Sequence, residues 1–376
     1  LNTMDGLDYW DTWMVSSGYP GFYEDVGPGG EGNKANPYEI ENPYHLQAVS
    51  EKPSDHFELS NGFTIDSNTW FDNDGFEPIG TETTPFTGSF DGNNNTIYDL
   101  NIDRGDEDNV GLLGVTDGAN ISNLRVDGNI GVTGDSSVGV VVGNATNTDI
   151  QHLYINGTKR NTGNVTGDIA GGIVGPQENG EIVESAAIVN VSGGDNATVG
   201  GLGGRNNGGG INQSFAAGNL SGETTGGLVG NNQSSGKYNH LYWNKELSGV
   251  DDPGIDAGTG VFTDEMRGIS APVFMSELQF GDIWVPEPNN RYPDLSVHGE
   301  FASTKEAYNN IVVDGDDPVK IDEVAELQLL YLYPANDYKL TGDIDASATS
   351  RQTYRDGSGF DPLSADIDTS EHDFYG

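Results

Sequence analysis

The chain has 376 residues, no cysteine, 59 acidic against 16 basic side chains, a formal net charge of −43 and 34% apolar residues. Disulfides and thiolate metal sites are excluded, and no basic patch exists that would release counterions from nucleic acid or hold the chain on an anionic membrane. So much like charge repels itself; the apolar content and ordered periodicity argue against a disordered acidic segment and for a folded chain in very high salt, where the Debye length is ~3 Å or less, with a calcium-loaded surface protein as the competing reading.

Residues 1–25 read as the end of a preceding module. Met4, Tyr9, Asp11 and Trp13 recur as Met275, Phe280, Asp282 and Trp284, and Tyr19-Pro20 recurs as Tyr292-Pro293. A Gly-rich acidic linker covers 26–35. A capping unit follows over 36–80. Pro37–Ile40 is expected as a strand, and Asn42 should cap a short helix with Pro43 at its first position. His56–Leu59 and Phe63–Ile65 alternate as strands.

The solenoid is expected over 86–244. A glycine-flanked apolar block recurs as Gly111-Leu112-Leu113-Gly114, Val140-Val141-Val142-Gly143, Gly172-Ile173-Val174-Gly175, Gly201-Leu202-Gly203-Gly204 and Gly227-Leu228-Val229-Gly230. The last glycines lie 29, 32, 29 and 26 residues apart. Between blocks run short period-two segments such as Ile121–Val126 and Ile150–Ile155, bounded by Gly, Asn, Asp and Ser. A period of this size without helix-length amphipathic segments predicts an all-β fold, a right-handed parallel β-helix with about three short strands per coil. Leu112, Val141, Ile173, Leu202 and Leu228 should stack in one internal column.

A closing segment covers 245–298. It holds a Gly/Asp-rich loop over 244–260, short helical pieces at Thr263–Arg267 and Val273–Phe280, and Trp284 and Tyr292 as plugs for the last coil. After a linker at 299–317, residues 318–376 repeat the start of the module. Val319, Ile321 and Tyr338–Leu340 match Tyr38, Ile40 and Phe57–Leu59, and Gly359-Phe360-Asp361-Pro362 matches Gly75-Phe76-Glu77-Pro78. The chain therefore reads as the tail of one module, a complete module over 36–298 and the head of a third, a tandem array cut from something longer; a single divergent duplication is the alternative. No apolar run approaches the ~20 residues of a membrane span, and no signal peptide opens the chain.

At the glycine blocks the chain resembles the GLUG-repeat proteins. The resemblance is carried by Gly226–Asn232, by Phe86–Gly92 upstream, and by Tyr242-Trp243-Asn244, Phe262–Met266, Trp284 and Tyr292-Pro293 downstream. It implies an extracellular β-helix of the kind found in bacterial and archaeal surface proteins and adhesins, with no shared catalytic residues. The implied role is a structural or adhesive stalk, fibre or filament at a cell or virion surface, whose partners are neighbouring modules, copies of the same protein or cell-surface glycans. A polysaccharide lyase or hydrolase and a halovirus tail fibre are the alternatives.

Ten N-x-S/T sequons stand at Asn94, Asn120, Asn144, Asn156, Asn164, Asn190, Asn196, Asn212, Asn219 and Asn232, all inside the solenoid. They are candidate acceptors of N-linked glycans, although Asn/Thr-rich turns produce some of the same bias. Asp72 and Asp74, beside Gly75, offer hard oxygens suited to calcium, with a plain structural turn as the competing reading. The loop Asp103–Asp108 places Arg104 among carboxylates, as a lyase groove would, but such a cluster is expected on any exposed loop of so acidic a chain. The six histidines form no zinc helix, and neither a nucleophile elbow nor a phosphate loop is found. No cofactor is required by any of these motifs.

Overall fold

The computed structural model describes residues 28–65, 74–157, 164–287, 291–297, 319–321, 327 and 338–347, with the backbone alone at 13–16, 19–22, 269, 319 and 320. Two compact units divide the chain, one of 1–243 with 247–258 and one of 244–246 with 259–376.

The first unit contains a parallel β-helix of about six turns. One coil runs through strands Leu113–Asp117, Asn120–Ser122, Arg125–Asp127, Gly131–Gly134 and Ser137–Gly139. The next repeats them as Val142–Thr146, Asp149–Gln151, Tyr154–Asn156, Asn164–Thr166 and Ile169–Gly171, each strand pairing in parallel with its counterpart. The third continues with Val174–Glu178, Glu181–Val183, Ala186–Ile188, Asn190–Ser192 and Thr198–Gly200. The sequence suggests about three strands per coil; these three coils have five, and the next has four, since Gly210–Ala217 runs unbroken. The extra divisions come from a left-handed residue that breaks one long side in two, and from a tight turn that folds the fifth strand back onto the first strand of the next coil.

The short second, third and fifth strands of these coils bury their central residues, so successive coils build apolar columns. Phe57, Phe90, Ile121, Ile150, Ile182 and Ile211 are rung partners in one such column, and all are buried. β-Branched residues suit these places because they pack flat against the identical position one rung, ~4.8 Å, away. The column of Leu112, Val141, Ile173, Leu202 and Leu228 is present. All five are at 0% exposure, and backbone bonds link the last four rung to rung, Val141 to Ile173 at 3.0 Å, Ile173 to Leu202 at 2.9 Å and Leu202 to Leu228 at 2.8 Å, while the Leu112 amide donates to the Val140 carbonyl at 3.1 Å. Pro253 continues the series, its carbonyl accepting from Leu228 at 3.0 Å.

The glycine blocks mark a seam where two sheets meet backbone to backbone. A Cβ on Gly175 would lie 2.4 Å from the Gly143 carbonyl oxygen and 2.7 Å from the Val138 nitrogen, and one on Gly204 would lie 2.8 Å from the Ala170 nitrogen. No side chain fits there, so the recurring glycine is a packing requirement of the coil.

Beneath the first full coil, Pro43–Ala48 forms the expected helix, with the Asn42 carboxamide oxygen accepting from the Tyr44 and His45 amides at 3.0 Å each. The strands Tyr38–Ile40, His56–Leu59 and Phe63–Thr64 join the solenoid's own ladder in parallel: Tyr38 pairs with Phe57, Phe57 with Phe90, and Phe63 with Ile97. The helix replaces part of a coil. Elsewhere in this unit, Trp13–Ser16 pairs antiparallel with Tyr19–Phe22, Trp13 opposite Phe22.

In the second unit, Trp284–Val285 pairs antiparallel with Asp294–Leu295, Trp284 opposite Leu295. That is the pairing of Trp13 with Phe22, at the positions where the two segments repeat in sequence. Val319–Ile321 pairs in parallel with Tyr338–Leu340, Val319 opposite Tyr338 and Ile321 opposite Leu340, the register in which Tyr38 faces Phe57 and Ile40 faces Leu59. Three expectations shift. The piece expected as helical at Thr263–Arg267 is a turn, its Glu265 side chain accepting from the Phe262 amide at 2.7 Å. The helix placed at Val273–Phe280 lies at Ala271–Phe274, started early by Pro272 in its first turn, and the loop over 244–260 opens with a short helix, Lys245–Ser248. Trp284 and Tyr292 are buried. The Tyr292 hydroxyl accepts from Asn244 Nδ2 at 3.1 Å and Arg267 Nη2 at 3.2 Å, and burial pushes its pKa up.

Candidate functional site

The interior is built mainly of apolar columns, and three rows of polar side chains stand out beside them. The first follows the corner between the second and third strands. Asn123, His152, Glu184, Gln213 and His240 occupy equivalent places there, all with φ between 50° and 55°. None is glycine, and each left-handed residue costs on the order of 1 kcal/mol. Side chains tie the row together. Asn123 Nδ2 donates to Asp91 Oδ1 at 3.0 Å, and His152 Nδ1 meets Asn123 Oδ1 at 3.0 Å. His152 Nε2 pairs with Glu184 Oε2, and Gln213 Nε2 meets His240 Nδ1 at 2.8 Å.

A second row lies between the first and second strands. Asn147 Nδ2 donates to Asp117 Oδ1 and Asn179 Nδ2 to Asn147 Oδ1, both at 3.2 Å. The third row runs along the fourth strand of successive coils. Asn164 pairs in register with Asn190, and Thr166 with Ser192; one coil on, Val191 pairs with Leu220 and Ser192 with Ser221, which sets Asn219 beside Asn190. Asn190 Nδ2 reaches Asn164 Oδ1 at 3.4 Å, and Asn190 Oδ1 accepts from the Asn219 amide at 3.0 Å. Three sequons thus stand one above another.

Of the ten sequon asparagines, Asn94, Asn120, Asn164, Asn196 and Asn219 are exposed and Asn144, Asn156, Asn190, Asn212 and Asn232 are half-buried. Asp72 lies outside the described residues. Asp74 is exposed, and its carbonyl oxygen accepts from the Asp103 amide at 2.8 Å beside the left-handed Gly75. Among the described residues no three His, Asp or Glu side chains gather as metal ligands would. Arg104 is tied locally, Nη1 to Glu107 at 2.8 Å and Nε to the Phe76 carbonyl at 3.2 Å. The His/Glu/Gln corner row was not anticipated. Its signal lies two residues after each inward residue Ile121, Ile150, Ile182, Ile211 and Tyr238, and emerges only when coils are aligned by rung rather than by glycine block.

Fold and surface together define a parallel β-helix whose outer rows are ladders of short polar side chains. No protein-family model and no solved structure matches the chain, so the likeness to GLUG repeats rests on the residues that suggested it. A stretch of 178 residues, 43% of the chain, is 38% identical to halomucin of Haloquadratum walsbyi and covers 2% of that protein. A stretch of 124 residues, 31% of the chain, is 39% identical to a protein of Evansella cellulosilytica described as a Gly-rich membrane protein, and covers 14% of it. The chain spans a small part of either relative. Among the described residues no helix is long and apolar enough to cross a membrane.

Proposed function

We propose that the chain is a length of a non-enzymatic, glycosylated surface protein of a halophile, in which GLUG-type β-helix modules repeat in tandem as a structural or adhesive rod. The observation that carries this reading is the return of the same strand registers at both ends. The Trp13–Phe22 pairing reappears as Trp284–Leu295, and the Tyr38–Phe57 pairing as Val319–Tyr338. Modules repeated in that order lengthen a protein with no new contacts to devise. The likeness to halomucin, a haloarchaeal surface protein, and the charge of −43 support the cell surface and the high-salt setting. In this reading the partners are neighbouring modules or further copies, with cell-surface glycans as ligands, and N-linked glycans decorate the outward rows. The turn at Asp72 and Asp74 is proposed as structural, calcium being the ion its oxygens would suit.

A β-helix also serves some enzymes, so the test needs two arms. Electron microscopy of the native full-length protein should show an extended fibre with a regular repeat. Incubation with acidic and neutral polysaccharides should release no oligosaccharide. A compact particle that depolymerises a polysaccharide would replace this reading with that of a lyase or hydrolase.

A further inference from the structure

The sequons are not equivalent once they are placed on the coil. Asn94 and Asn196 stand in tight turns, at φ of 60° and 72°, and are exposed. Asn94 N donates to the Asn123 carbonyl on the neighbouring coil at 3.0 Å, and the turn that holds Asn196 is closed by Ala197 N donating to the Gly194 carbonyl at 3.2 Å. Neither carboxamide makes a side-chain hydrogen bond among the described residues. Asn190 and Asn212 are placed differently. Both are half-buried on strands. The Asn190 carboxamide spans two coils, through Nδ2 to Asn164 and through Oδ1 to the Asn219 amide. In the Asn212 triplet the hydroxyl is engaged: Ser214 Oγ donates to the Asn212 carbonyl at 2.8 Å and accepts from the Ser185 amide at 3.1 Å.

From this we infer that the sequons divide by role: Asn94 and Asn196 are the modified sites, while Asn190 and Asn212 are ladder positions that stay bare. The inference rests on the glycosylated-surface reading and adds which places carry sugar. In the transfer, C1 of an oligosaccharide carried as a lipid phosphate ester bonds to the asparagine Nδ2. The C1–O bond to phosphate breaks, the lipid phosphate leaves with the electron pair, and Nδ2 gives up one proton. At Asn94 or Asn196 that substitution displaces no bond within the fold. At Asn190 it puts a sugar between Asn164 and Asn219, rungs only ~4.8 Å away on either side. The conflict arises whether transfer precedes folding or follows it, because the finished coil must accommodate the product. A sequon on a solenoid strand can therefore arise from the ladder's own preference for Asn and Ser or Thr, whereas the exposed carboxamides of Asn94 and Asn196 carry no such structural duty.

Site-resolved glycopeptide mass spectrometry of the full-length protein from its native host tests this. The expected result is sugar on Asn94 and Asn196 in most molecules and none on Asn190 or Asn212. Sugar on Asn190 or Asn212 at comparable occupancy would overturn the division while leaving the glycoprotein reading intact. A chain bare at all ten positions would overturn both. The ladder half has its own readout in unmodified protein made in a host without this pathway and melted in molar salt. Asn190→Ala should lower the melting temperature by a few degrees. Asn94→Gly and Asn196→Gly, which keep the left-handed turn, should leave it unchanged. A silent Asn190→Ala would show that the column has no structural duty.

Discussion

Glycine at the seam and glycine in a turn are the same letter with opposite physical meanings. Gly175 faces the Gly143 carbonyl and the Val138 nitrogen at distances no Cβ tolerates, whereas Gly194 has nothing within 4 Å of where a Cβ would stand. Gly175→Val should therefore cost about 3 kcal/mol or more, or prevent folding, because the obstacle is backbone on the next rung and cannot rotate away. Gly194→Ala should stay within about 0.5 kcal/mol of the parent. Thermal melts of both variants in molar salt check the pair; equal effects would mean that the seam is looser than its distances imply. The corner row shows the reverse case, where the letters conceal the geometry. Glu184 and Gln213 are unusual choices for left-handed backbone, and their hydrogen bonds to His152 and His240, visible only across coils, offset the local cost.

At the scale of the strand, much of the coil was legible. The stacked column from Leu112 to Leu228 follows from the glycine spacing, because a fixed seam forces equivalent residues onto the same line. The five-strand division was not read, although the break at Asn123 sets buried Ile121 and Leu124 three residues apart where an unbroken strand would set inward residues two apart; Gln213, also left-handed, lies within the continuous strand Gly210–Ala217. Nor was the merging of the helix-bearing segment with the solenoid, because Tyr38–Ile40 reads the same whether it pairs inside a separate cap or on the main ladder. The uneven spacing of the glycine blocks now has a physical source. The turns between the fifth strand and the next first strand, and between the second and third strands, keep one length from coil to coil. The stretches from Ile155 to Val165 and from Val191 to Val199 are long, and those from Ala187 to Val191 and Ala216 to Leu220 are short, yet rung register holds on both sides of each. Four residues such as Gly-Ser-Gly-Ser placed after Gly194 should leave the melting temperature nearly unchanged. A single residue placed between Val140 and Val141 should abolish the cooperative transition, because it moves Gly143 off the seam and brings a side chain to it. Circular dichroism melts of the two insertions decide this, and a folded seam insertion would count against the role given to the glycines.

For the molecule as a whole, the charge is a surface property. Every described aspartate and glutamate except Asp127, Glu265 and Asp294 is at least partly exposed, so the acidic excess faces solvent and not the core. Screening sets how much of the mutual repulsion is felt, and net stabilities of about 5–15 kcal/mol leave little to oppose it when salt is removed. The melting temperature should fall steeply between molar and millimolar salt with divalent ions chelated; a flat profile would remove the case for a high-salt protein. The rung register has a further consequence, in terms of inheritance. Val142 and Val174 hold one place on successive coils, so a recombination joining the codon before one to the codon of the other deletes a whole coil and leaves the remaining rungs matched. A crossover in the opposite sense adds one. A gene of this kind can change the length of its product by unequal exchange between its own repeats, with each step starting from a sequence already able to fold.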